Sequence, residues 1–94
     1  MLQLSFKKPR SRPAPANLTE LRRDEQGVLD RLDLPDDIAQ RLMELGFIPG
    51  HVVAAARSAP GGDPRVFRVD GAEIALRLET AARLLLRPQP ASGD

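Results

Sequence analysis

The sequence predicts a mainly β protein: a small five-stranded barrel with one short α-helix between the first and second strands. Three observations predict this class. The chain has 94 residues, enough for one domain with a modest core. Short apolar runs alternate with turn residues, and a single helical pattern ends abruptly in the stretch GFIPG. Because a short antiparallel sheet with two open edges invites aggregation, we expect it to curl into a barrel.

The two ends of the chain are predicted to lie outside the folded domain. Residues 1–17 include KKPRSRPAPA, in which proline alternates with basic and small residues, so this stretch is expected to be a flexible basic arm. The folded domain then spans residues 18–88, and residues 89–94 form a disordered tail. Asn17 is the predicted cap of one helical turn, and the first strand is expected over residues 28–32.

The segment LPDDIAQRLMELG predicts one amphipathic helix of about nine residues. Ile38, Leu42 and Leu45 recur at helical spacing and form one apolar stripe. Gly46 is the expected left-handed residue at the end of this helix. Phe47 is then expected to be buried against Leu42, as the apolar residue that follows such a stop.

Turn residues divide the rest of the chain into short extended segments. Pro49 and Gly50 fit the centre of a type II turn, and Asp70-Gly71 is a hairpin signal. Residues 77–83 are compatible with either a helical turn or the end of a strand. The second to fifth strands are predicted over residues 51–57, 65–69, 72–76 and 84–86.

Charge and composition exclude several classes of function. The arm carries four basic residues and no acidic one, whereas residues 18–88 carry ten basic and twelve acidic residues. The slightly acidic domain argues against a nucleic-acid partner. The chain has no cysteine, which excludes disulfides and thiolate metal sites. No apolar run approaches the ~18 residues of a membrane span, and MLQLSF is too short for a signal peptide, so we expect a soluble cytoplasmic protein.

The residues needed for catalysis are missing from the pattern. His51 is the only histidine, and Ser58 lies seven positions further on without a G-x-S-x-G context. No phosphate-binding glycine loop occurs. We therefore predict no catalytic residues, no enzyme activity and no required cofactor. One histidine supplies too few ligands for a metal site in a single chain, so the only metal site that we consider is weak divalent binding at His51 with carboxylates from a second chain.

Binding to a protein partner remains as the predicted activity. The candidate contact residues are Arg41 and Glu44 on the polar side of the helix, with Ile48 and Pro49 in the turn that follows. Ile48 and Pro49 are the better candidates for exposed apolar surface, which small adaptor domains use as contact anchors. The alternative is that both residues serve only the core and the turn.

The order of these motifs resembles that of the FeoA family of small cytosolic proteins of bacterial ferrous iron uptake. The resemblance covers residues 18–88 and rests on Leu18-Thr-Glu-Leu21, Gly27, LMELGFIPG, APGGDP, RVDGAEIALR and the closing aliphatic strand. It implies an SH3-like barrel and a non-catalytic accessory role. It also implies binding to the cytosolic G-protein part of the FeoB membrane transporter, with modulation of transport.

Two further expectations accompany this resemblance. The protein is expected to be a monomer or a weak dimer that meets the membrane only through its partner. Similar barrels form the C-terminal domains of iron-dependent repressors, so the alternative function is a regulatory SH3-like domain that responds to a divalent transition metal.

Overall fold

A computed structural model of the chain describes residues 13–88. Its helices and strands are β1 (Gln26–Leu32), α1 (Asp36–Glu44), β2 (Val52–Ser58), β3 (Arg65–Val69), β4 (Ala72–Leu76), α2 (Leu78–Ala81) and β5 (Leu84–Leu86). The last three strands have the predicted limits. β1 begins two residues earlier than predicted and β2 is displaced by one residue. Of the two alternatives for residues 77–83, the structure has the helical turn, α2.

The five strands form one antiparallel sheet in the order β4-β3-β2-β1-β5. β1 pairs with β2 on one side, where Gly27 lies opposite Val53, and with β5 on the other, where Leu29 lies opposite Leu86. The only long connection between strands in residues 13–88 is the one that carries α1. The predicted mainly β class, with five strands and a helix between the first two, is confirmed.

The core is built from aliphatic side chains and two phenylalanines. The largest fully buried side chains are Phe47, Phe67, Leu18, Leu21, Leu29, Leu84, Val53 and Val69. The three alanines of β2 are also buried, as expected for a strand packed closely against another layer. Between residues 13 and 88, no polar or charged residue is buried, and no helix is long and apolar enough to cross a membrane.

Local turn chemistry places the strand ends as expected. Asp70 and Gly71 both have positive φ angles, 52° and 83°, which is the geometry of a two-residue hairpin turn between β3 and β4. Asn17 caps the turn at Leu18–Glu20, since its side chain accepts a hydrogen bond from the Thr19 amide at 2.9 Å.

The start of the described chain runs along the outer edge of β5. The Leu86 amide donates to the Ala16 carbonyl at 2.9 Å, and Asn17 forms an isolated antiparallel β-bridge with Leu85. Backbone hydrogen bonds therefore attach the chain to the sheet from Ala16, before the boundary predicted at residue 18. The rest of the predicted arm, residues 1–12, and the predicted tail, residues 89–94, lie outside the described residues.

Candidate partner-binding surface

The end of α1 turns the chain back onto the core. The Phe47 amide donates to the Leu42 carbonyl at 3.1 Å, and the Gly46 amide donates to the Met43 carbonyl at 3.0 Å. This pair of bonds is the Schellman motif, and Gly46 supplies the positive φ that it requires, 114°. Phe47 is fully buried, so the predicted burial of this residue is confirmed.

A second turn follows at once and joins α1 to β2. The His51 amide donates to the Ile48 carbonyl at 2.9 Å, with Pro49 and Gly50 at the two central positions. Gly50 has a φ of 95°, which a type II turn requires at its third position. The Gly50 amide also donates to the Leu29 carbonyl at 2.7 Å. The turn is thereby held against β1, with Ile48 and Pro49 exposed.

The apolar stripe of α1 is less buried than its helical spacing suggests. Ala39 and Leu42 are buried, but Ile38 is 42% exposed and Leu45 is 48% exposed. Residues of an α-helix are about 100° apart, which places Ile38 and Leu45 on the side of Leu42 that faces away from Ala39. The helix therefore faces the core along the line of Ala39 and Leu42. Ile38 and Leu45 are left at the margin of that contact.

These residues belong to a larger exposed apolar surface, which we call the α1–β2 surface. It consists of Ile38, Leu45, Ile48 and Val52. Together with Met43, which lies on the opposite side of α1 from Ile38 and Leu45, these are all of the exposed large hydrophobic residues in the described part of the chain. Scattered single apolar residues are normal on protein surfaces, but apolar residues concentrated in one region indicate an interaction site. Here they fall within fifteen consecutive positions.

The four predicted contact residues are all exposed, and Ile48 is itself part of this surface. Arg41 is three positions from Ile38 and four from Leu45, the spacing of neighbours on a helix. Glu44 lies further round the helix. It lines an open depression of about 520 Å³ together with Asp36, Asp37, Gln40 and Arg41. Arg41 thus provides a charge at the edge of the apolar residues, and Glu44 belongs to the acidic side of α1.

Sequence reasoning missed Ile38, Leu45 and Val52 as members of this surface. The helical stripe assigned Ile38 and Leu45 to the apolar side of α1, and alternation in β2 gave no reason to single out Val52. No local signal distinguished them, because which side of α1 faces the core depends on residues distant in the chain.

His51, which lies between Ile48 and Val52 in the chain, makes a side-chain hydrogen bond with Asp70. The two atoms, His51 Nδ1 and Asp70 Oδ2, are 3.0 Å apart, and the side chains are 39% and 51% exposed. The pair connects the start of β2 to the hairpin turn between β3 and β4. No group of three or more potential metal ligands occurs among residues 13–88, so this pair offers a metal ion at most two ligands from one chain.

Comparison with known proteins identifies the family. The family model described as the FeoA domain matches residues 16–88. The chain belongs to the FeoA family. It is also 31% identical over 84 residues to an Fe(2+) transport protein A/Fe(2+) transporter FeoB fusion protein of Porphyromonas gingivalis, an alignment that covers 82% of this chain. The chain spans only 10% of the length of that relative.

Solved FeoA structures share the fold. A Stenotrophomonas maltophilia FeoA, described as an SH3 domain protein and complexed with zinc, has a TM-score of 0.67 and 34% identity over 78% of this chain and 91% of its own. FeoA of Chlorobium tepidum has a TM-score of 0.72 and 26% identity, covering 83% of this chain and 72% of its own. Iron(II) transport protein A of Clostridium thermocellum has a TM-score of 0.71 and 26% identity, covering 77% of this chain and 44% of its own.

Proposed function

We propose that this FeoA-family protein is a non-catalytic accessory protein of bacterial ferrous iron uptake. In this proposal it binds the cytosolic G-protein part of a FeoB-type transporter and modulates transport. The observation that carries the proposal is the Porphyromonas gingivalis relative, in which a region similar to this chain and a FeoB transporter are parts of one polypeptide. The protein would act in the cytoplasm as a monomer or weak dimer and meet the membrane only through its partner.

The α1–β2 surface is the proposed contact with that partner. Ile48 and Pro49 lie on a turn that two hydrogen bonds hold in place, so an apolar contact there would require little ordering of the chain. The chain has no Trp or Tyr, which elsewhere are common anchors of protein interfaces. Aliphatic side chains and Arg41 must therefore provide the anchors. Glu44 contributes charge at the acidic side of α1, where it favours one orientation of the partner.

Calorimetry tests the contact directly. The full chain is titrated into the soluble cytosolic domain of the FeoB-type transporter of the same organism, and Ile48→Asp is expected to weaken binding at least tenfold. Burying an unpaired carboxylate in an apolar interface is costly, whereas Ile48 contributes little to the fold because it is exposed. The matched control is Ala75→Asp, which adds the same charge to an exposed position on β4 and is expected to bind like the unmodified chain.

Two results would contradict this proposal at different levels. Equal binding by Ile48→Asp and Ala75→Asp would remove the α1–β2 surface as the contact. If the unmodified chain failed to bind even full-length FeoB in native membranes, the partner itself would be wrong. Thermal unfolding of each variant, followed by circular dichroism, shows that a loss of binding is not a loss of fold.

Two variants that reverse the charge of Arg41 or of Glu44 distinguish the roles of these polar contact residues. Arg41→Glu, beside Ile38 and Leu45, is expected to reduce affinity several-fold. Glu44→Lys, further from the apolar residues, is expected mainly to change the association rate and its dependence on salt. Stopped-flow association at two ionic strengths distinguishes these effects. If both variants bound at the unmodified rate at both ionic strengths, neither residue would belong to the contact.

A second candidate function is regulation by a divalent transition metal. Two observations favour it: the pairing of His51 with Asp70, and the zinc complex of the Stenotrophomonas maltophilia FeoA. Zinc in proteins takes about four ligands, so carboxylates from a second chain would have to complete the set. Anaerobic calorimetry with Fe²⁺ and Zn²⁺ tests this function. Binding well below millimolar that His51→Ala abolishes would support it, and an absence of binding would exclude it.

A further inference from the structure

Of the two edges of the sheet, the one formed by β4 is open in the described part of the chain. At the other edge, the Leu86 amide of β5 donates to the Ala16 carbonyl at 2.9 Å. β4 pairs with β3 on one side, and no backbone segment among residues 13–88 pairs with its outer side. An open strand edge is a template for pairing with another chain.

The hairpin fixes which backbone groups of β4 point outwards. Its two-residue turn makes Val69 and Ala72 a hydrogen-bonded pair, and such pairs alternate with non-hydrogen-bonded pairs along antiparallel strands. Glu73 and Ala75 occupy the non-hydrogen-bonded positions, so their amides and carbonyls face away from β3. No hydrogen bond from a turn or loop within residues 13–88 satisfies these groups. Both residues are therefore available to pair with a further strand.

The outer face of this edge carries two opposite charges. Glu73, Ala75 and Arg77 alternate along the chain and are all exposed, whereas the residues between them pack against the core. Glu73 accepts a hydrogen bond from Arg57 at 3.0 Å through one carboxylate oxygen, Oε1. Arg77 forms no ion pair with another of residues 13–88. A carboxylate and a guanidinium group thus lie two positions before and two positions after Ala75.

We propose that the β4 strands of two copies of this chain pair antiparallel about a two-fold axis at Ala75. In this register, Glu73 of each copy lies opposite Arg77 of the other. Each copy also donates its Ala75 amide to the Ala75 carbonyl of the other. A two-fold axis repeats every contact, so the dimer contains two pairs of unlike charges. Unlike charges directly opposite each other stabilise antiparallel pairing.

Charge selects this register among those that use the same outward-facing backbone groups. Symmetric pairing about Glu73 opposes two carboxylates, and pairing about Arg77 opposes two guanidinium groups. Pairing about Ile74 or Leu76 places Ala75 opposite a charged residue. The register about Ala75 alone sets unlike charges opposite each other. A charge on an edge strand normally prevents pairing, whereas this edge is complementary to itself.

The contact is small, so we expect a weak dimer. β4 has five residues, and interfaces of low area are typical of transient association. β4 shares no residue with the α1–β2 surface. The inference does not rest on the proposed function, because it follows from the open edge and the charges of this chain alone.

Charge reversal tests both the contact and its register. In sedimentation equilibrium at concentrations up to about 1 mM, we expect the unmodified chain to dimerise. Glu73→Arg or Arg77→Glu alone is expected to weaken dimerisation at least tenfold, since each places like charges opposite each other. A mixture of these two variants is expected to restore dimerisation, because one presents two positive side chains and the other two negative ones. The matched control is Arg31→Glu, the same charge reversal at an exposed position on β1, which is expected to dimerise like the unmodified chain.

Amide hydrogen exchange shows where the two copies meet. The outward-facing amides of Glu73 and Ala75 become hydrogen-bonded in the dimer, so their exchange is expected to slow several-fold as the concentration rises. Slower exchange at the α1–β2 surface instead would show that the copies meet there, which contradicts the proposal. Slower exchange at β4 only after addition of the FeoB cytosolic domain would show that a different protein covers this edge, which also contradicts it.

The proposal fails if the unmodified chain stays monomeric at every concentration, or if the two charge variants do not associate when mixed. Ala75→Asp separates this failure from failure of the proposed function. It brings two carboxylates together at the two-fold axis and is expected to abolish dimerisation while leaving binding to the FeoB cytosolic domain unchanged. If the mixed variants dimerise and FeoB does not bind, the proposed function alone is wrong. If FeoB binds and the mixed variants stay monomeric, the β4 contact alone is wrong.

Discussion

Phe47 and Ile48 are neighbours in one turn, but they have opposite environments. Phe47 is fully buried, whereas Ile48 is 37% exposed. The Schellman motif directs the first residue after Gly46 back onto the core, and the type II turn that follows places the next residue at an outer corner. Two tight turns in succession therefore give one short segment both a buried face that closes the core and an exposed face that is free to bind.

Truncation at these two positions should show the largest difference. Phe47→Ala is expected to reduce the free energy of unfolding by about 3–5 kcal/mol, since it removes a buried aromatic side chain and leaves a cavity. Ile48→Ala is expected to cost less than about 1 kcal/mol because its side chain is already partly in water. Urea unfolding followed by circular dichroism measures both. Similar costs at the two positions would show that the turn does not separate a buried face from an exposed one.

The same comparison applies along α1. Leu42→Ala should cost about 2–3 kcal/mol, because Leu42 is buried in the core, whereas Leu45→Ala should cost less than about 1 kcal/mol. Urea unfolding midpoints of the two variants measure this difference directly. A larger loss at Leu45 would mean that α1 packs through the whole stripe of Ile38, Leu42 and Leu45, as the spacing in the sequence suggests.

Gly46 is the residue on which the separation of the two faces depends. Gly46→Ala is expected to cost about 1–2 kcal/mol, because an added Cβ would meet strain at a φ of 114°. The added Cβ would also lie 3.2 Å from Asp70 Oδ2 and 3.4 Å from Val69 Cγ1. Gly61→Ala is the matched control, since Gly61 has a φ of 84° and nothing within 4 Å. Thermal unfolding should therefore show a larger loss for Gly46→Ala, and equal losses would exclude a contribution from the neighbouring side chains.

The smallest effect is expected at the hydrogen bond between His51 and Asp70, beside the turn. Asp70→Asn removes the charge that faces His51 but keeps a side chain that tolerates the positive φ of 52°. Because both partners are exposed to solvent, we expect a loss below about 0.5 kcal/mol. Unfolding at low and high salt measures this loss. A cost above about 1 kcal/mol that salt removes would show that the pair, as well as Gly46, fixes the position of the turn.

Different elements were predictable from the sequence to different degrees. β3, β4 and the hairpin between them have the predicted limits, because Asp70-Gly71 and the alternation of apolar residues are local signals. The Schellman stop at Gly46 and the burial of Phe47 were predictable for the same reason. The predicted limits of β1 and β2 were less exact, since pairing with neighbouring strands decides where those strands begin. The attachment of Ala16 and Asn17 to β5 had no local signal, because the partner strand is almost seventy positions away.

The candidate surface was predictable only in part. Arg41, Glu44, Ile48 and Pro49 are exposed as required, and their role in binding stays a prediction. The exposure of Ile38 and Leu45 depends on which side of α1 faces the core, which is a relation between elements and not a property of the helix alone.

The sequence by itself determined the order of strands and helix, the positions of the turns and the family to which the chain belongs. These features follow from backbone preferences of glycine, proline and asparagine and from residue spacing, all of which act over a few positions. Only the tertiary structure decided which apolar residues of α1 and β2 remain in contact with solvent. Burial depends on how elements that are distant in the chain pack against one another, which no pattern over a few positions fixes.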